Sequence, residues 1–206
     1  MSEETINALK SIKQSFRLRM NGDISRSMRE KGMDYKLNWG ISIIELKQMG
    51  KEIGQNYDLA VELWKENIRE CKILATMIMP PAQMMPELVD IWMEQTPNIE
   101  IAEQAAFNLY QHLDFAPVFA FEWIASENTI YQICGYQLIS HLLKQNKPLD
   151  ERGINELIDQ SLCALQGQDL SVSRAAANCL RRLSETSETH EQIVEQALKS
   201  VGLELF

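Results

Sequence analysis

The 206-residue chain carries 45% hydrophobic and 24% charged residues with six prolines and nine glycines, a balance that excludes a disordered or collagen-like chain and permits a core without disulfides or metal. No apolar run reaches the roughly 18 residues of a membrane span and the opening MSEETINALKSIKQSF lacks the apolar stretch of a secretory signal, so a cytoplasmic protein is expected. The formal net charge of −9 is uneven: residues 1–53 hold ten Lys+Arg against seven Asp+Glu, net +3, and residues 54–206 hold ten against twenty-two, net −12, so an electrostatic grip on nucleic acid has to act through a local basic face near the N-terminus.

Helical periodicity begins at once. Ile6, Leu9, Ile12 and Phe16 fall on one side of a first helix, with Lys10, Lys13 and Arg17 on another. Asn21-Gly22-Asp23 ends that helix, and Asp23 or Ser25 is placed to cap a short second one running through Lys31. The stretch from Gly32 to Gly40 (GMDYKLNWG) reads as a loop. Beyond it the pattern predicts helices at 42–53, 57–65, 68–78, 85–95, 99–112, 116–126, 128–145, 150–166, 169–186 and 188–202, separated at Gly54, Pro80-Pro81, Pro86, Pro97, Pro117, Pro148 and Gly167 to Asp169. No segment alternates with β-branched enrichment, so essentially no sheet is expected.

Cys71, Cys134, Cys163 and Cys179 are scattered through helical patterns without a CxxC, and His112, His141 and His190 lack ligand spacing. Structural thiols and no metal centre or cofactor follow. No Gly-x-Ser-x-Gly element marks a hydrolase.

An internal repeat sets the expected architecture. Residues 169–183 have the shape D-x-x-V-x-R-x-A-A-x-x-L-x-x-L, with Arg174, Ala176, Ala177, Leu180 and Leu183 in the frame. The frame recurs more weakly at Glu103, Ala105, Ala106 and Leu109, and at Gln132, Cys134, Gly135 and Leu138, with spacings of 29 and 42 residues. Small residues at the paired positions let helices approach closely, and the leucines fill the space between layers. The prediction is one all-α domain over residues 1–206, a HEAT-like α-solenoid (an α-α superhelix) of antiparallel helix pairs. It would comprise basic N-terminal helices over 1–35 and a repeat region over 36–186; an irregular helical bundle is the competing arrangement.

The chain resembles the HEAT-like DNA alkylation repair proteins typified by the AlkD glycosylases. The resemblance is carried by Asn38-Trp39-Gly40-Ile41-Ser42, Leu46-Lys47, Ile53-Gly54, Leu59-Ala60, Leu63-Trp64, Arg69-Glu70 and Leu74-Ala75. It continues through Asp90-Ile91-Trp92-Met93, the 99–112 helix, Phe121-Glu122-Trp123, the 128–145 helix and the frame from Arg174 to Leu183. It implies a concave surface lined by inner helices that in active relatives cradles damaged DNA. A carboxylate and aromatic faces there favour the cationic transition state of base excision, and basic residues hold phosphates. In the family the 99–112 helix carries Trp, three residues, then Asp; this chain has Ile99 and Glu103. The family's Arg on the next inner helix has no counterpart, since residues 128–143 contain neither Lys nor Arg, and a further Trp expected near 178 or 179 is replaced by Asn178 and Cys179.

Two functions stay open on this reading. The first is a divergent, non-catalytic binding scaffold. The second is a DNA N-glycosylase for alkylated, cationic bases with a rearranged site around Glu103, the candidate catalytic carboxylate, although a solvated helix face also explains a glutamate there. Candidate DNA- or partner-binding residues are Lys10, Lys13, Arg17, Arg19, Arg26 and Arg29, with Tyr131 and Tyr136. The two tyrosines sit about 140° apart around a helix, so they do not face one groove together. The implied partners are double-stranded DNA on a local basic face or a protein on the concave surface, with no membrane. Trp39, Trp64, Trp92 and Trp123 fit packing better than base stacking, and Met77, Met79, Met84 and Met85 around Pro80-Pro81 fit a packed turn.

Overall fold

A computed structural model describes residues 2–33 and 35–203, and places twelve α-helices and two short 3-10 turns among them, with no strand. The only β feature described is an isolated bridge between Leu37 and Ile68. The chain forms two compact units, Met1–Leu109 and Tyr110–Phe206.

The first unit contains α1 (Glu3–Leu18), α2 (Gly22–Glu30), α3 (Ile43–Ile53), α4 (Tyr57–Lys65), α5 (Arg69–Ile78), α6 (Pro86–Glu94) and α7 (Ile99–Asn108). Local chemistry explains most of the boundaries. Ser42 and Glu45 form a reciprocal capping box on α3, and Asn56 and Asn98 accept from Leu59 and Ile101 at the starts of α4 and α7. The cap of α2 differs from expectation: it is Asn21, whose side chain accepts from the N–H groups of Asp23 and Ile24, so the helix begins earlier than a cap at Asp23 or Ser25 allows. Helix α5 packs between α3 and α7 in one layer, while α4 packs on α5 and α1 on α4. In that second layer Trp64 of α4 stacks on Trp92 of α6, with centroids 4.2 Å apart and planes within 1°. Such a pair contributes about 0.5–1.5 kcal/mol beyond its buried area. Trp64 and Trp92 are both buried, as packing residues are.

The 35–41 segment is drawn tightly onto this unit. Asn21 donates its backbone N–H to the Trp39 carbonyl at 2.8 Å, and the Ser25 hydroxyl donates to the Asn38 carbonyl at 2.9 Å. Gly40, at φ +71°, lies so close that a Cβ would stand 2.2 Å from the Asn21 carbonyl oxygen, which admits only glycine.

The second unit contains α8 (Ala116–Ile124), α9 (Thr129–Lys144), α10 (Glu151–Gln166), α11 (Leu170–Ser184) and α12 (Glu188–Ser200). Helices α9 and α11 lie side by side, with α8 on α9 and α10 and α12 on α11. The repeat frame explains the contact. A Cβ on Gly135 would meet the Ala120 oxygen and the Ile124 nitrogen at 2.8 and 2.9 Å, so α9 rests on the backbone of α8. On α11 the fully packed small pair is Ala175 and Ala176, one residue earlier than the expected Ala176 and Ala177, with Leu180 and Leu183 beneath. Asp169 caps α11 by accepting from Ser171 and Val172, and the Thr129 hydroxyl also donates to it. That hydrogen bond and the two capping N–H groups hold its carboxyl below the ordinary value.

Candidate nucleic-acid interface

The densest polar chemistry of the first unit is buried at the start of α5. Arg69 is 1% exposed and Glu70 fully buried. Arg69 grips the Glu100 carboxylate in bidentate fashion, Nε at 2.9 Å and Nη2 at 2.6 Å, and donates from Nη1 to the Ile41 carbonyl at 2.9 Å and to Glu70 at 3.2 Å. Burial by itself works to lower the Arg69 pKa; the hydrogen bonds and charge of Glu100, helped by Glu70, reverse this and hold it above the ordinary value. Glu70 accepts from the backbone N–H groups of Trp39 and Ile41, and the Tyr35 hydroxyl donates to Glu100. Burial and the adjacent Glu100 carboxylate push the Tyr35 phenol well above its usual range. These bonds tie the 35–41 segment and the first turn of α7 to α5. Glu103 follows one turn later on α7.

Around Glu103 the face of α7 is partly open. Ile99 and Glu103 are both half-buried, and Phe107 is 42% exposed. Lys47 of α3 is exposed and reaches over the Phe107 ring, its Nζ 5.0 Å from the centroid. Beside it lies a cavity of about 280 Å³ lined by Lys47, Lys51, Met77 and Asn108 together with Gly50 and Gly54.

The basic N-terminal residues divide by environment. Lys10 and Arg17 are exposed and, with Ile6 and Leu9, line a cavity of about 350 Å³ on α1. Lys13 shares that face, but its ammonium is 2.9 Å from Glu66. Arg19 and Arg29 are exposed, and the exposed Arg26 is 3.9 Å from a still more exposed Asp23, a pair that contributes little in water.

The tyrosines separate as their angular spacing requires. Tyr131 is half-buried and meets Trp123 edge-on, centroids 6.2 Å apart. Tyr136, expected at a binding surface, is instead fully buried, because its position on α9 turns inward. On α11, Cys179 is fully buried and Asn178 is exposed, accepting from Arg181 at 3.0 Å. Cys71, Cys134 and Cys179 are buried, and burial pushes Cys179 up to about 12. Among the described residues no group of three or more His, Cys, Asp or Glu is placed to hold a metal ion, and no helix is long and apolar enough to cross a membrane.

The Arg69–Glu70–Glu100 cluster was not singled out as a site by sequence reasoning, nor was the Lys47–Phe107 contact. The adjacent opposite charges of Arg69 and Glu70 at the start of α5 are the local signal that could have found the cluster. Nothing local pairs Lys47 with a phenylalanine 60 positions away.

The profile of the family described as DNA alkylation repair enzyme matches residues 12–204. A solved structure described as "A new family of proteins related to the HEAT-like repeat DNA glycosylases with affinity for branched DNA structures" is 19% identical, and the match covers 96% of this chain and 85% of that one with a TM-score of 0.83. No curated protein matches the sequence. The all-α arrangement of helix pairs is therefore a HEAT-like solenoid fold, and the chain belongs to the DNA alkylation repair enzyme family.

Proposed function

We propose that this protein is a DNA-binding member of the family that has lost the base-excision site and works as a non-catalytic scaffold, its 206 residues acting as one repeat domain. The observation that carries the reading is the face of α7: where the resemblance calls for an aromatic ring and an aspartate, Ile99 and Glu103 stand half-buried. An aliphatic side chain offers no π-face to a cationic base, and the longer glutamate shifts the carboxylate by about a bond length, which matters where catalysis depends on placement. The absence of any Lys or Arg over 128–143 and the burial of Cys179 support the same reading. Exposed Lys10, Arg17, Arg19 and Arg29, with Lys47 and Lys51, supply the cations that phosphates need, against an acidic remainder. The structural neighbour described as having affinity for branched DNA makes a junction the first ligand to test.

The decisive experiment measures binding to a plain duplex and to a three-way junction across a salt series, alongside base release from methylated DNA. Binding should weaken steeply with salt and no purine should be released. Failure to bind either DNA at low salt would sink the proposal. Release of methylated purines that disappears in Glu103→Gln would instead establish the glycosylase reading centred on that carboxylate.

A further inference from the structure

Resting on the DNA-binding reading, we infer that the cavity between α3, α5 and α7 is a site for one unpaired nucleotide of a branched or single-stranded segment. Its base would stack on Phe107 and its phosphate would sit between Lys47 and Lys51. The floor of the cavity is set by glycines. Gly50 packs against Met77, where a Cβ would lie 3.2 Å from the Met77 Cβ, and Gly54 at φ +72° has nothing within 4 Å of its own missing Cβ. Gly50 lets Met77 approach α3, Gly54 just past the helix end adds no side chain, and both line a cavity of about 280 Å³. That space suits a nucleotide and is too small for a duplex.

The walls have the chemistry a nucleotide needs. Lys47 and Lys51 are four residues apart on α3, so their ammonium groups share one helix face, and both are exposed. Asn108 is held in one orientation. The Thr76 hydroxyl donates its only proton to the Ile73 carbonyl at 2.7 Å, so its oxygen can only accept, and it accepts from the Asn108 amide nitrogen at 3.0 Å. The second amide proton goes to Gln104 Oε1 at 3.1 Å. The Asn108 carbonyl oxygen is thereby left as a fixed acceptor in the cavity wall, suited to an exocyclic amino or ring N–H group of a base. Phe107, the adjacent residue, presents a 42% exposed ring already covered by a cation at 5.0 Å. A stacked base replaces that cation on the ring, and Lys47 is then free to follow the phosphate. Aromatic stacking of this kind accepts any base, so the site reads strand state rather than sequence.

The test uses the full chain and two labelled probes: a fully paired duplex, and the same duplex carrying a short oligo-dT flap. Phe107→Ala should weaken flap binding roughly tenfold while leaving duplex binding within about twofold. Lys51→Ala should weaken flap binding and make its salt dependence shallower by roughly one phosphate contact. Equal effects of Phe107→Ala on both probes, or none, would overturn the nucleotide site while leaving DNA binding intact. Failure of the unaltered protein to bind either probe would overturn both readings. A second measurement is independent of any variant: 5-iodouracil placed in the flap should photocross-link within Phe107–Asn108 or Lys47–Lys51, and cross-linking confined to α1 or to residues beyond 109 would overturn the assignment.

Discussion

Within one turn of α5 the first unit buries Arg69, Glu70 and Lys72, whereas the buried polar side chains described in the second unit are the uncharged Gln111 and Ser161. The difference follows from what each unit has to hold in place. The first must fasten an irregular segment, residues 35–41, whose backbone N–H and carbonyl groups have few partners of their own; Glu70 and Arg69 supply them. The second consists of helix against helix, and close approach at Gly135, Ala175 and Ala176 suffices. Buried charge here anchors an exception to the repeat, and small residues maintain the rule.

The largest break in that contrast should come from Arg69→Met. It strands Glu70 and Glu100 without their guanidinium, and losing one partner of a buried ion pair costs about 3–5 kcal/mol. Denaturant melts monitored in the first unit should show the loss, together with faster amide exchange over 35–41. An unchanged melting curve would remove the anchoring role of the cluster.

Next in size is Gly135→Ala in the second unit. The added methyl meets backbone atoms of α8 at 2.8–2.9 Å, and overpacking of this kind costs about 1–3 kcal/mol. Gly50→Ala in the first unit brings its methyl to 3.2 Å from the Met77 Cβ, a longer approach that a relaxation of a few tenths of an ångström relieves, so a smaller loss of under about 1 kcal/mol is expected there. Equal losses at the two glycines would show that backbone contact is not what distinguishes α9 on α8 from α3 on α5.

A further effect, of about 1 kcal/mol, concerns pH. Lys72 donates to the Trp64 carbonyl at 3.0 Å and lies 4.2 Å from the Trp64 ring centroid, and burial lowers its pKa to about 8 from 10.5. Between those values the unfolded chain binds more protons than the folded one, so stability rises with pH through this group. The Cys71 thiol, pushed up by burial from 9.0, works in the opposite direction above about pH 9. The clean window is therefore pH 8 to 9, where the wild-type protein should gain about 1 kcal/mol relative to Lys72→Met. A constant difference across that window would mean that Lys72 keeps its ordinary proton affinity.

Much of the molecule was legible from residue order because it depends on local periodicity. The boundaries of α4 at Tyr57–Lys65 match the expected 57–65, and α3 and α5 agree within one residue at their starts. The prolines and Gly54 act on their own neighbours, so they can be read in place, whereas the cap of α2 was expected at Asp23 or Ser25 and is Asn21. The expected 99–112 helix ends at Asn108 and passes into a 3-10 turn at Tyr110–His112, a tightening that periodicity alone does not distinguish. That Ile99 stands where the resemblance implies Trp, and that residues 128–143 contain neither Lys nor Arg, was equally visible, since it is a matter of residue identity.

What only the tertiary structure decided are pairings across distance. Arg69 finds Glu100 31 positions away, and Lys47 finds Phe107 at a separation of 60, because α3, α5 and α7 share a layer. The orientation of Asn108 depends on Thr76 in the same way. The sequence by itself determined an all-α helix-pair repeat, through periodicity, caps and residue identity. Which charges are buried, which tyrosine turns inward and where a cavity opens beside a ring were settled by helix-to-helix packing, which no local pattern records.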